Sequence, residues 1–191
     1  MKTGKVAKLR PTQITVGFAE SAAKQAELSK LSAKKLDDYL KNHAIPCVLG
    51  PRERLYMTDH HHLGLALTRM GQETCYYEVV HDLSTVPEVK FFKVMQVLEL
   101  LFSHGPDGQT LPLIKIPTCL PDLLDDPYRS LAGFVRARGG YAKVPVPYSE
   151  FSWADFFRDR IQIGESFEPA IEQGLELAFS PEANHLPGYL G

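Results

Sequence analysis

An aspartate and three consecutive histidines follow one another in this chain, as Thr58-Asp59-His60-His61-His62. Imidazole rings ligate transition metals, donate to phosphate oxygens and carry protons near neutral pH. A zinc site takes its imidazoles from positions that converge, such as i and i+4 of a helix. Consecutive helix residues point about 100° apart, so His60, His61 and His62 do not close on one ion by themselves. The flanking pattern points to a second chemistry. Residues 54–57 read as a strand and residues 60–70 as a helix, which puts the cluster on a strand-to-helix turn. Such a turn offers backbone N–H groups and the positive end of a helix dipole to an anion. First-turn histidines add donors, and Arg52 and Arg54 on the preceding hairpin add positive charge. Asp59 either caps the helix or holds Mg2+ on a nucleotide.

The elements that must position this turn are legible as periodicities. Residues 9–16 alternate as a short strand, placed at an edge by Pro11. A helix begins near residue 20, and from Ser29 the apolar residues Leu31, Leu36, Tyr39 and Leu40 share one helical face until Ile45-Pro46. Residues 47–49 and 54–57 form a hairpin about Gly50-Pro51, and Gly71 closes the helix that carries the histidines. Tyrosine- and valine-rich residues 74–80 give a third strand. Beyond residue 84 the chain turns mostly helical. Expected helices cover 86–102, apolar on most sides and capped by Ser84, then 126–138, 149–160 capped by Ser149, and 166–179, with 181–191 as a loose tail. Arg129, Arg136 and Arg138 read as a solvated basic face, and the aromatic residues Phe151, Trp153, Phe156 and Phe157 as helix–helix core. The organisation is a mixed α/β segment, 1–84, followed by a helical segment, 85–191, packed on it.

A formal net charge of −2 supplies no global basic field to attract nucleic acid. Cys47, Cys75 and Cys119 are too far apart in sequence for a CxxC site and read as small apolar residues in a reducing compartment. The N-terminus lacks a secretory h-region, and no window approaches a membrane span, so a cytoplasmic protein is expected.

The stretch Leu55-Tyr56-Met57-Thr58-Asp59-His60-His61-His62-Leu63-Gly64-Leu65-Ala66-Leu67 resembles the ParB-like segment written as a hydrophobic residue, Asp-Gly-His-His-Arg and then Ala-Leu. Asp59, His61, His62, Ala66 and Leu67 match it. Leu63 stands where that motif has arginine, and His60 where it has glycine. Leu9-Arg10-Pro11-Thr12-Gln13-Ile14 is similar to the L-x-P-x-x-I opening strand, and residues 36–49 to the helix and I-P-V-x-V strand that precede the motif. Residues 126–133 and 153–156 look like the branch labelled ParB-like nuclease. The resemblance implies an α+β fold of the ParB/sulfiredoxin type, a small mixed sheet with helices followed by a helical C-terminal part. It also implies a turn that cradles nucleotide phosphates. Relatives include CTP-binding partition proteins and free-serine kinases, so it implies nucleotide-dependent phosphotransfer to a small molecule, or NTP hydrolysis, with Mg2+ and ATP, ADP or CTP. The partner would be a nucleotide or a phosphorylated small molecule, with no membrane and DNA less favoured. Kinase relatives use a glutamate after the first strand as base, and Glu20 lies in the corresponding region. The implied site has Glu20, Asp59 and His61 in catalysis. Thr58, His60, His61, His62, Arg52 and Arg54 would meet phosphate, and Asp59 the metal. Sulfiredoxin chemistry needs a cysteine in this turn, and there is none. The alternatives are a partition-like DNA-binding module and a metal-dependent nuclease using the histidines.

Overall fold

The computed structural model describes residues 1–191 and is α+β, with seven α-helices and a five-stranded mixed sheet. Contacts divide the chain into two compact units, residues 1–16 with 21–124 and residues 17–20 with 125–191.

The first unit holds the sheet. Its strands are β1 (Lys2–Lys5), β2 (Leu9–Arg10), β4 (Ile45–Gly50), β5 (Arg54–Met57) and β6 (Thr74–Asp82), with β3 (Thr15–Val16) outside it, and the spatial order is β1-β6-β4-β5-β2. The expected hairpin is β4–β5, antiparallel from Cys47↔Met57 to Gly50↔Arg54, while β6 runs parallel to β4. Gly50 is required there, because a Cβ would come within 2.7 Å of both the Phe91 and Tyr56 rings. The sequence pattern missed β1, a polar strand paired to Thr74–Tyr77. It also read 9–16 as one strand, where the structure has β2 at the sheet edge and β3 apart from it. The reason lies between them: Pro11 has no N–H for a ladder, and Thr12 spends its N–H on His61 Nε2 and its hydroxyl on the Met57 carbonyl.

Three helices complete the sheet unit: the greater part of α1 (Phe18–Leu28), α2 (Ala33–Asn42) and α3 (His61–Arg69). Ser32 caps α2 by accepting the Lys35 N–H. Residues 85–124 also group with this unit, so the change of character near residue 84 is not where the contacts divide. The cause is α4 (Glu88–Val97), whose Phe91 and Met95 join Ile14, Val48 and Tyr56 in one apolar cluster. The expected core helix over 86–102 is corrected in length and in burial. It ends after Val97, because Glu99 takes a left-handed φ of 54° and the Leu100 N–H reaches back to the Met95 carbonyl. Only Phe91 and Met95 are buried in it, and Val89 is 93% exposed.

The second unit packs α5 (Pro127–Ala137), α6 (Ser149–Arg158) and α7 (Glu168–Ala178) around Leu131, Val135, Trp153, Phe157 and Ile171; the short strand β7 (Leu124–Asp125) lies where the two units meet along the chain. Asp126 caps α5 with Pro127 in its first turn. Ser149 does not cap α6; that position belongs to Tyr148, at φ 59°. The tail over 181–191 is not loose. Ala183 and Leu186 are buried, and the Pro187 and Gly188 carbonyls accept from Trp153 Nε1–H and Ala142 N–H.

No helix is long and apolar enough to cross a membrane. Cys47 and Cys75 are buried, and burial pushes their thiols up to about 12 and about 11. Cys119 is half-buried, and its hydrogen bond to Asp122 Oδ2 at 3.0 Å raises it as well. The thiolate is the nucleophile, so maleimide labelling near neutral pH followed by mass spectrometry should find label only at Cys119 in the folded protein and on all three cysteines in denaturant.

Candidate functional site

The turn after β5 is built by backbone constraints. Thr58 is anchored to the Pro46 carbonyl through both its N–H (2.9 Å) and its hydroxyl (3.3 Å). Asp59 is exposed, and its Oδ1 accepts the His60 N–H at 2.6 Å. The carboxylate therefore clips the turn itself and does not reach the N–H two or three residues on, as a helix cap would. His60 sits at φ 64°, ψ 27°, in the left-handed region, and its carbonyl opens α3 by accepting the Gly64 N–H. This is the position at which the ParB-like motif carries glycine, the residue that adopts this conformation without strain. A non-glycine residue here costs about 1–2 kcal/mol, partly offset because glycine loses more chain entropy on folding, about 0.4–1 kcal/mol. His60→Gly should therefore stabilise the protein by roughly 0.5–1 kcal/mol, read as a higher urea midpoint with unchanged slope.

The three histidines diverge. His61 is 3% exposed, and its Nε2 accepts the Thr12 N–H at 3.1 Å, which places the proton of a neutral ring on Nδ1. His62 lends its carbonyl to the Ser21 hydroxyl at 2.8 Å. The His60 ring meets the edge of His43, which itself stacks on Tyr39 at 3.9 Å. No three His, Cys, Asp or Glu side chains come together in a way that could hold a metal ion. Leu63, in place of the motif arginine, is buried.

Arg52 and Arg54 are not brought to this turn. Arg54 opens β5 and Arg52 lies in the turn before it, and four residues of strand place Thr58 about 13 Å beyond Arg54. Both guanidiniums converge on Glu88, at 2.7 Å each. The hairpin loop that carries them has Arg52 and Glu53 at positive φ, 59° and 55°.

Glu20 belongs to the second unit. Its N–H donates to Ser130 Oγ at 3.2 Å, and its carboxylate lies against Gly133, where any Cβ would collide with it. The same face of α5 carries what the sequence reading missed. Arg129, expected on a solvated strip, is 4% exposed, with its guanidinium 3.5 Å over the Phe151 ring. Around it stand Asp126, which binds Arg158 at 2.8 Å, and Glu150, which pairs with Arg136. Burial lowers the Arg129 guanidinium to about 10, with Glu20 and then Asp126 the carboxylates that most oppose the loss of its charge. The spacing Asp126, Arg129, Ser130, Gly133 is i, i+3, i+4, i+7, one face of a helix, and that periodicity was the available signal.

The family model described as "Putative ParB-like nuclease" matches residues 3–159. The chain is also similar to the crystal structure of protein Atu1540 from Agrobacterium tumefaciens: 43% identity, a TM-score of 0.92, and coverage of 100% of this chain and 96% of that one. No curated protein matches.

Proposed function

On the premise that this chain belongs to the ParB-like nuclease family, as the match over residues 3–159 establishes, we propose that it binds a nucleotide or another phosphate compound and transfers or hydrolyses a phosphoryl group. The observation that carries this reading is the turn between β5 and α3. Its exposed Asp59 carboxylate stands at the start of a helix whose first residue follows a left-handed backbone step. Such a turn directs amide N–H groups toward an anion. In this reading Thr58, His60 and His62 would meet phosphate oxygens, and Asp59 would hold a Mg2+ ion that supplies counter-charge to them. His61, buried and hydrogen bonded to Thr12, holds the turn in shape. Glu20, in the second unit, is proposed as a general base of that unit. Arg52 and Arg54, committed to Glu88, have no part in it.

Calorimetry with ATP, ADP and CTP, each with Mg2+, tests the reading on the intact protein and on Asp59→Asn. Binding of one nucleotide by the parent, weakened at least tenfold in the variant, is expected. Absence of binding of all three at millimolar concentration would defeat it. Mg2+-dependent cleavage of plasmid DNA in that case would favour the chemistry in the family's label.

A further inference from the structure

We propose that Arg129 is the positioning residue of Glu20, a buried cation that fixes the carboxylate on α5 and keeps it charged. The inference rests on the reading of Glu20 as the base, but its geometry lies wholly within the second unit. Glu20 is held on α5 at two points, by Ser130 Oγ on its N–H and by the open Cα of Gly133 under its carboxylate. Arg129 is four residues from Gly133, so the two share a helix face.

Several carboxylates surround Arg129, and two of them serve another cation more closely. Asp126 is taken by Arg158 at 2.8 Å, and Glu150 by Arg136. Glu150 stands 3.7 Å from Arg129 Nη2, beyond hydrogen-bonding distance. The Phe151 ring covers the guanidinium face, which leaves its in-plane donors unserved, and Arg129 Nε and Nη1 have no hydrogen-bond partner. The Tyr141 hydroxyl, also near, donates to the Ala132 carbonyl. A buried charge with unserved donors is destabilising; Glu150 offsets part of that cost from 3.7 Å, and Glu20, seated against Ser130 and Gly133 of the same helix, supplies the further negative charge. A carboxylate held this way stays an acceptor over a wide pH range. It can orient a substrate hydroxyl or ammonium group before it takes any proton.

The test is a carbon-13 NMR titration of the Glu20 carboxyl, assigned through Glu20→Gln, in the parent, Arg129→Met and Arg129→Lys. The Glu20 midpoint should lie about 1–3 pH units higher in Arg129→Met than in the parent, with Arg129→Lys between them. Equal midpoints in parent and Arg129→Met would overturn the proposal. Should Arg129→Met fail to fold, the double variant Glu20→Gln/Arg129→Met decides. Recovery of a cooperative unfolding transition supports the pair, and failure to recover beyond either single variant rejects it. The titration needs no nucleotide. A null calorimetry result with a shifted midpoint would remove the phosphate reading alone, and the reverse pair of results would remove this one alone.

Discussion

Asp126→Ala should cost about 3–5 kcal/mol, a large share of the roughly 5–15 kcal/mol that holds a domain folded. Asp126 is 2% exposed and does two things with one carboxylate. Its Oδ1 accepts the Tyr128 N–H at 3.0 Å, which caps α5, and its Oδ2 accepts from Arg158 Nη2 at 2.8 Å. Burial presses the Arg158 guanidinium down, and the hydrogen bond and charge of Asp126, with those of Asp155, together more than reverse this, leaving it above its ordinary value. Removing the carboxylate strands that cation and takes away a counter-charge that Arg129 also feels. Asp126→Asn keeps an oxygen for the Tyr128 N–H and loses only the charge, so its loss should be smaller. Urea unfolding followed by circular dichroism measures both. Equal stability of parent and Asp126→Ala would show that the Arg158 pair contributes nothing.

Trp153→Ala should be of similar size, about 3–5 kcal/mol. This is the only tryptophan in the chain, and it is fully buried. Its ring stacks on Tyr141, with centroids 4.3 Å apart and planes 11° apart, and packs against Phe156 and Phe157. Its Nε1–H donates to the Pro187 carbonyl at 2.8 Å, so the same side chain that fills the helical core also fastens the C-terminal segment. Gly188, at φ 80°, lets the chain pass close enough for the Ala142 N–H to reach its carbonyl at 2.8 Å. Trp153→Phe keeps an aromatic ring and loses the hydrogen bond, for about 1 kcal/mol. Limited proteolysis should cut beyond residue 180 faster in Trp153→Ala than in Trp153→Phe. Identical digestion of the two would break the link between the ring and the tail.

Much of the local structure was legible in the sequence, because it rests on period and on end signals. The β4–β5 hairpin, α3 with Gly71 behind it, strand β6 and the Asp126-Pro127 start of α5 all follow from alternation, helical spacing and caps. The divergence of His61 and His62 followed as well, from the turn angle of a helix, whereas His60 stands apart through its left-handed backbone before α3. Strand β1 was not legible, since a polar edge strand carries no apolar alternation and exists through its pairing with β6. The early end of α4 was not legible either, because Glu99 closes that helix in a conformation that sequence preference assigns to glycine.

The candidate site divides along the same line. The sequence alone determined that Thr58-Asp59-His60-His61-His62 would stand between a strand and a helix, and that the chain resembled a ParB-like protein there. Only tertiary structure decided what each member faces. His61 turns inward to Thr12, Asp59 stays exposed, and the two arginines expected beside the turn are drawn to Glu88 at the other end of β5. Arg129 shows the physical reason most clearly. A guanidinium on a polar-looking helix reads as solvated from its own sequence, and whether it is buried depends on which carboxylates and rings from elsewhere in the chain, Glu20, Glu150 and Phe151 among them, close around it.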